Sequence, residues 1–341
     1  MRNRRHTLRS RCKALAAWCG IVGAAATGWA ADGFGACADI ANAKERLTCY
    51  DELAGRSESR SPDSYLTRAW KLGPNDAAPR RLADFVTYRP NYIILHWTDS
   101  PNFRPRSPST GPSSLPDLDH TEVKVQGSLK TELISRQAFE HAGISRALGH
   151  VGIDSARLWF GYTQKMAWQA FNHGEERPIR DTNYEPELIL TLGTTNKGDG
   201  FKLVNLGLSH ESNGIDPSEH RGWSRMYAQG GWEWGRLSIL PRLWRLVPQS
   251  DDDNPNIRRF MGSGDVVTRY ETPGGYVTSV LLRRNFGTDH GYALLEWATP
   301  VVQRLGALKF YVQLTSGYGE MLIDYNHRQT TLGAGVSFGD W

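Results

Sequence analysis

Phe310-Tyr311-Val312-Gln313-Leu314-Thr315 places an apolar residue at every even position, and Leu332-Gly333-Ala334-Gly335-Val336-Ser337-Phe338 repeats that parity near the C-terminus. Side chains of an extended chain point alternately to its two faces, so both stretches read as strands with one apolar face. Glu187-Leu188-Ile189-Leu190-Thr191-Leu192 and Tyr276-Val277-Thr278-Ser279-Val280-Leu281-Leu282 give noisier cases of the same pattern. Tyr92-Ile93-Ile94-Leu95-His96-Trp97 reads as the first strand of the series, followed by an irregular loop rich in Pro and Ser over 100–116. No long amphipathic helix and no internal repeat interrupts the series. A β-sandwich or soluble barrel would show the same alternation. The abundance of Trp and Tyr, with an aromatic terminal residue in Trp341, favours a membrane barrel whose aromatic residues form girdles at the interfaces. A spanning strand of about 10 residues plus a connection of similar length fits roughly 12 strands into 87–341. The expected fold is therefore all-β, a 12-stranded antiparallel transmembrane β-barrel.

Upstream, the character differs. Of 341 residues 22% are charged and the net charge is +4, which is too polar for a helical membrane protein. The basic excess is local, because Arg2, Arg4, Arg5, Arg9, Arg11 and Lys13 all precede the first acidic residue, Asp32. No nucleic-acid partner is expected from it. The same six residues lead into the apolar run Ala14–Ala31, which ends in small residues; this is the outline of a cleaved secretory signal over 1–31. A retained membrane anchor is the alternative, since 18 residues just reach across a bilayer. Cleavage leaves Cys37 and Cys49 as the remaining thiols in an oxidising compartment, where a disulfide is expected. The organisation read from the sequence is a signal peptide at 1–31, a periplasmic segment and linker at 32–86 carrying a small disulfide-stapled appendage, and the barrel at 87–341.

One strand carries chemistry. In Val204-Asn-Leu206-Gly-Leu208-Ser-His210-Glu-Ser212-Asn-Gly214 the residues Val204, Leu206, Leu208, His210 and Ser212 share a face, so three apolar side chains lead to an imidazole and a hydroxyl. An imidazole can lean onto a hydroxyl two residues along and accept its proton. A strand turning polar as it leaves the bilayer would give the same spacing. The wider motif goes further: His210-Glu-Ser212-Asn213-Gly214 followed by Arg221-Gly-Trp223-Ser224-Arg225 resembles the bacterial outer-membrane phospholipase A family. Similar blocks occur in order at Tyr162-Thr-Gln-Lys165, Trp168-Gln169, Arg180–Pro186, Asp252-Asp253-Asn254-Pro255, Tyr311-Val-Gln313, Ser316–Glu320 and Leu322–Asn326. Residues 32 to about 86 match no part of that family core.

The resemblance implies a 12-stranded barrel with its active site on the lipid-facing wall. It implies a calcium-dependent hydrolase that cleaves sn-1 and sn-2 acyl esters of phospholipids and lysophospholipids and is active as a homodimer in the outer membrane. Ser212 is then the nucleophile, His210 the base, and the Gly214 amide, with calcium, the oxyanion stabiliser. An ungapped match gives Ile215 as a carbonyl ligand and His220 as a second ligand, whereas sliding Asp216-Pro217 onto the family's pair gives Ser218 in that role. Ser218 is the better oxygen donor. Glu176 stands where a serine from the partner is expected, and Asp253 matches a carboxylate of another calcium site. The family's asparagine after the tryptophan is Ser224 here, a shorter group for orienting the imidazole, and a barrel that has lost its chemistry, a pore or scaffold, is the rival reading. Gln164 is expected to face the polar interior, and Arg221 and Arg225 to meet either lipid phosphates or neighbouring loops. The remaining histidines, His96 among them, read as loop or interface residues.

Overall fold

The computed structural model describes residues 37, 40–43, 46, 49–50, 64–73, 84–112, 118–172, 179–195, 198–214, 219–248, 252–302 and 306–341. The expected signal peptide, the linker over 56–63 and the candidate ligands Glu176, Ile215 and Ser218 lie outside the described residues. The chain divides into two compact units, 1–62 and 63–341. In the first, Cys37 and Cys49 form a disulfide with their Cα atoms 5.5 Å apart, and Arg46 Nη1 donates to the Ile40 carbonyl at 3.0 Å.

The second unit is a closed barrel of twelve antiparallel strands: β1 (Asn91–Thr98), β2 (Thr121–Ile134), β3 (Ser155–Trp168), β4 (Ile179–Gly193), β5 (Gly200–Ser212), β6 (Gly222–Trp234), β7 (Leu237–Val247), β8 (Gly264–Glu271), β9 (Val277–Arg284), β10 (Gly291–Ala298), β11 (Leu308–Tyr318) and β12 (Arg328–Phe338). Each strand pairs with its sequence neighbours, and β1 closes the ring by pairing with β12 as well as β2. Val86–Thr87 continues the edge of β2 below β1. Connections at one end, after β5 and β7 for example, are long; most at the other are short turns. The Pro- and Ser-rich loop after β1 contains a small hairpin pairing Arg106–Ser107 with Gly111–Pro112.

Burial reverses the order of a soluble protein. Along β11, Lys309, Tyr311, Gln313 and Thr315 are buried, while Phe310, Val312 and Leu314 are 53%, 37% and 43% exposed. Large apolar side chains left in water forfeit about 1.5–3 kcal/mol each, so a wall carrying them on nearly every strand belongs in lipid. This excludes the aqueous barrel and sandwich readings. Exposed aromatic residues mark both rims: Trp97 and Trp168 at the long-loop end, Trp234, Tyr270, Tyr276 and Trp297 at the other.

The interior is polar and its charges are matched. Arg89 bridges Glu185 and Glu187, Arg225 meets Glu185 at 2.5 Å, and Arg180 meets Glu122 at 2.6 Å and Asp324 at 2.9 Å. Buried ions need such partners because their desolvation is otherwise uncompensated. His96, expected at a loop or interface, is instead an interior residue, 2% exposed, because its parity on β1 places it inside the closed sheet.

Residues upstream of 87 also pack into the barrel unit. The short helix α1 (Tyr65–Ala69) and the turn after it belong to the barrel unit: Leu66, Trp70 and Leu72 are buried against the inward-facing Trp159, Ile189 and Leu203. The Leu66 amide donates to Glu233 at 3.0 Å, and Lys130 Nζ lies 3.3 Å from the centre of the Trp70 ring. These apolar residues fill the interior at the short-turn end, which a period-2 reading of the strands does not detect.

Candidate active site

β5 turns Leu206 and Leu208 outward, 43% and 53% exposed, and continues with His210 and Ser212 on the same outer face. Residues two apart on one strand face are about 6.5–7 Å apart along the backbone, within reach of an imidazole. The neighbouring strands complete the row. In register, His210 lies opposite Ser224 of β6, and Ser212 lies between Gly222 of β6 and Tyr184 of β4. Across the first pair, His210 Nδ1 and Ser224 Oγ are 2.9 Å apart. When Nδ1 carries the proton and the serine oxygen accepts it, Nε2 is left as the basic nitrogen. Ser224 thus reaches the imidazole directly.

Gly214 follows the strand with φ +61°, and a Cβ there would lie 3.2 Å from the Tyr184 ring. A left-handed backbone packed against an aromatic ring accommodates glycine best. Behind the outer face, the alternate residues anchor the loop. Glu211 accepts from Trp223 Nε1 at 2.9 Å, Asn213 Oδ1 accepts from the Arg221 amide at 2.8 Å, and Asn213 Nδ2 donates to the Glu219 carbonyl at 2.9 Å. Asn254, from the loop after β7, reaches across to accept from the Gly222 amide at 2.9 Å. Sequence reasoning missed the clasp formed by Asn213 and Asn254, although both stand inside the quoted motifs. Parity alone marks Asn213 as inward and says nothing of what it holds.

Arg221 and Arg225 turn away from lipid. Arg225 is buried against Glu185 and Glu211, and Arg221, fully buried, donates to Thr110 Oγ1 at 3.2 Å and to the His220 carbonyl at 2.7 Å. Burial pushes the Arg221 guanidinium below its ordinary value, with Tyr325 acting the other way. Gln164 faces outward, contrary to expectation: it shares the outer parity of Phe160 and Trp168, sits opposite Tyr184, and accepts from Tyr162 Oη at 3.2 Å.

The structure brings two candidate metal ligands together. His220 Nδ1 and Asp253 Oδ2 are 2.6 Å apart, and the Asp253 carbonyl accepts from Ser107 Oγ. Calcium selects oxygen donors. Asp253 fits, as a partly exposed carboxylate at the mouth of this loop cluster. His220 fits less well: its imidazole is a nitrogen donor engaged by Asp253, and its carbonyl accepts from the Arg221 guanidinium.

A family model described as phospholipase A1 matches residues 66–338. This chain belongs to the phospholipase A1 family. The match begins inside α1, in keeping with the place of that helix in the barrel unit. Relatives of this phospholipase A1 family member include a putative phospholipase A1 of Neisseria meningitidis serogroup B, 35% identical over 303 residues, covering 85% of this chain and 74% of that protein. A phospholipase A1 of Klebsiella pneumoniae is 34% identical over 256 residues, 74% of this chain and 82% of that one. Among solved structures, the outer membrane phospholipase A of Escherichia coli superposes with a TM-score of 0.63 at 32% identity, covering 75% of this chain and 99% of that chain. A Salmonella typhi outer membrane phospholipase, a dimer with bound calcium, gives 0.64 at 29% identity, covering 82% and 99%.

Proposed function

We propose that this phospholipase A1 family member is a calcium-dependent Ser-His hydrolase of the outer membrane. It cleaves sn-1 and sn-2 acyl esters of phospholipids and lysophospholipids on the outer wall of its barrel, and it is active as a homodimer. Phospholipase activity follows from the family; the observation that carries the mechanism is the row His210, Ser212 and Ser224 on the lipid-facing surface, with His210 held 2.9 Å from Ser224. Substrate reaches such a row from the membrane without leaving it.

Ser212 Oγ attacks the ester carbonyl carbon as His210 Nε2 takes the hydroxyl proton. The imidazolium so formed is steadied by Ser224 Oγ accepting the Nδ1 proton, and the Gly214 amide donates to the developing oxyanion. Collapse breaks the ester C–O bond, His210 returns its proton to the departing glycerol oxygen, and an acyl-serine remains. Water, deprotonated by His210, attacks that acyl group, and His210 returns the proton to Ser212 Oγ as the fatty acid leaves. A bound calcium ion would supply positive charge beside the oxyanion; the Ile215 carbonyl, Ser218 and Glu176 of a second copy are the oxygen donors we assign to it, with Asp253 at a further site and His220 left out. Residues 1–31 serve as the export signal, and 32–62 form a periplasmic appendage.

The test is hydrolysis of a long-chain ester by purified protein, in calcium or chelator, for the parent chain and Ser212→Ala. Calcium-dependent turnover lost in the variant is the expected result. No turnover from a folded, calcium-loaded dimer would favour the rival reading, a barrel without chemistry.

A further inference from the structure

At the same end of the barrel as Ser212, but apart from the row His210, Ser212 and Ser224, a cleft of about 440 Å³ opens between the hairpin after β1 and a one-turn helix, Ile257–Met261. Arg106 and Arg259 line it, together with Ser107, Asn256, Asn326 and Phe260, and among the described residues no carboxylate does. Among the described residues neither guanidinium makes a hydrogen bond or ion pair, whereas Arg89, Arg180, Arg225 and Arg242 are all held by carboxylates. One exposed arginine means little. Two that line one concave surface carrying amide and hydroxyl groups, with no acid among the described lining residues, form a ligand-sized electropositive site.

The frame behind the two arginines is fixed. Asn326 Nδ2 donates to the Arg106 carbonyl at 2.9 Å, and Tyr325 Oη donates to Asn256 Oδ1 at 2.6 Å. The Arg259 carbonyl accepts from Asn285 Nδ2 at 3.0 Å and Thr288 Oγ1 at 2.7 Å. Phe260 stacks on His290, ring centres 4.5 Å apart. The same hairpin also braces the catalytic loop. Ser107 Oγ donates to the Asp253 carbonyl, Ser109 Oγ to the Asp252 carbonyl at 2.6 Å, and Thr110 Oγ1 accepts from Arg221, whose amide is clasped by Asn213 beside Ser212.

We propose that this cleft is a second, non-catalytic site that binds a phosphate group, and that its occupancy steadies the hairpin supporting the loop after Ser212. Guanidinium forks match phosphate oxygens, and a phosphate meets two unpaired arginines with no carboxylate among the described lining residues. At the rim of the lipid-facing wall the phosphate can come from a membrane-lipid headgroup or from free phosphate in solution. The coupling to turnover rests on the hydrolase reading of Ser212; binding does not.

Binding is measured on the full chain carrying Ser212→Ala, refolded in uncharged detergent, by phosphorus-31 NMR titration with inorganic phosphate in one arm and phosphatidic acid mixed into the micelles in the other. Saturable binding that weakens at least tenfold in Arg106→Gln/Arg259→Gln, with circular dichroism unchanged, is expected. The arm that saturates at the lower concentration identifies the source. No saturable binding in either arm, equal binding by the double variant, or equally tight displacement by a fatty acid carboxylate would overturn the site. In the Ser212 background, the phosphate ligand is expected to raise turnover of an uncharged ester severalfold in the parent and not in the double variant. An equal response in both would overturn the coupling, while inactivity of a parent that still binds phosphate would count against the hydrolase reading alone.

Discussion

Replacing Ser224 with alanine removes the oxygen that lies 2.9 Å from His210 Nδ1. In the proposed mechanism that contact is made to a neutral imidazole in the resting enzyme and to an imidazolium in the transition state, so its loss falls mainly on turnover. A hydrogen bond to a charged partner contributes about 1.5–3 kcal/mol, which at about 1.36 kcal/mol per decade corresponds to a roughly 10- to 150-fold fall in kcat. KM should change little, because the contact removed is made to the imidazole. Stability should also hold, since the pair sits on the outer surface and the interior ion pairs are untouched. The assay is steady-state hydrolysis of a long-chain ester by purified protein in calcium, comparing Ser224→Ala and Ser224→Asn with the parent. Asparagine, with its longer side chain, is expected to equal or exceed the parent. A Ser224→Ala enzyme with kcat within twofold of the parent would refute the orienting role.

Gly214→Ala should lower kcat at least tenfold while the barrel still folds, because a left-handed non-glycine residue costs about 1–2 kcal/mol and its Cβ would lie 3.2 Å from the Tyr184 ring; unchanged turnover would argue against the amide as oxyanion donor. Glu122→Gln leaves Arg180 with one carboxylate fewer in the interior, and breaking such a buried pair costs about 3–5 kcal/mol, visible as a lower urea midpoint of the refolded barrel. Leu208→Arg puts a charge on the lipid-facing wall at a cost of about 2–4 kcal/mol near the midplane, to be read from the same unfolding curves. Burial alone would raise the Glu320 carboxyl, but the ammonium of Lys124 beside it outweighs burial and holds it at about 2, against an ordinary 4.5. Its folded value is depressed, so its contribution to stability is complete above pH 4.5 and is lost as the pH falls toward 2. Glu320→Gln should flatten that part of the stability profile.

The sequence by itself determined what depends on a strand's own geometry. Alternation follows from local dihedral angles, so Phe310, Val312 and Leu314 announced the outer wall, and His210 and Ser212 could be placed on it before any pairing was known. The motif around them, through its resemblance, named Ser224 across a gap of 14 positions, and the two strands' register then brought it to His210. Local pattern failed where a residue's place depends on its neighbours. Gln164 needed the parity of β3 to be anchored by its partners, and His96 became interior only when the sheet closed. Leu66 and Trp70 lie outside the strand pattern, and their burial depends on Trp159, Ile189 and Leu203 from three different strands. The tertiary structure alone decided the loop end, where His220 meets Asp253 and the Arg106 hairpin grips residues 252 and 253. Loops have no period to read, and their contacts are fixed by strands that bring distant segments to one rim.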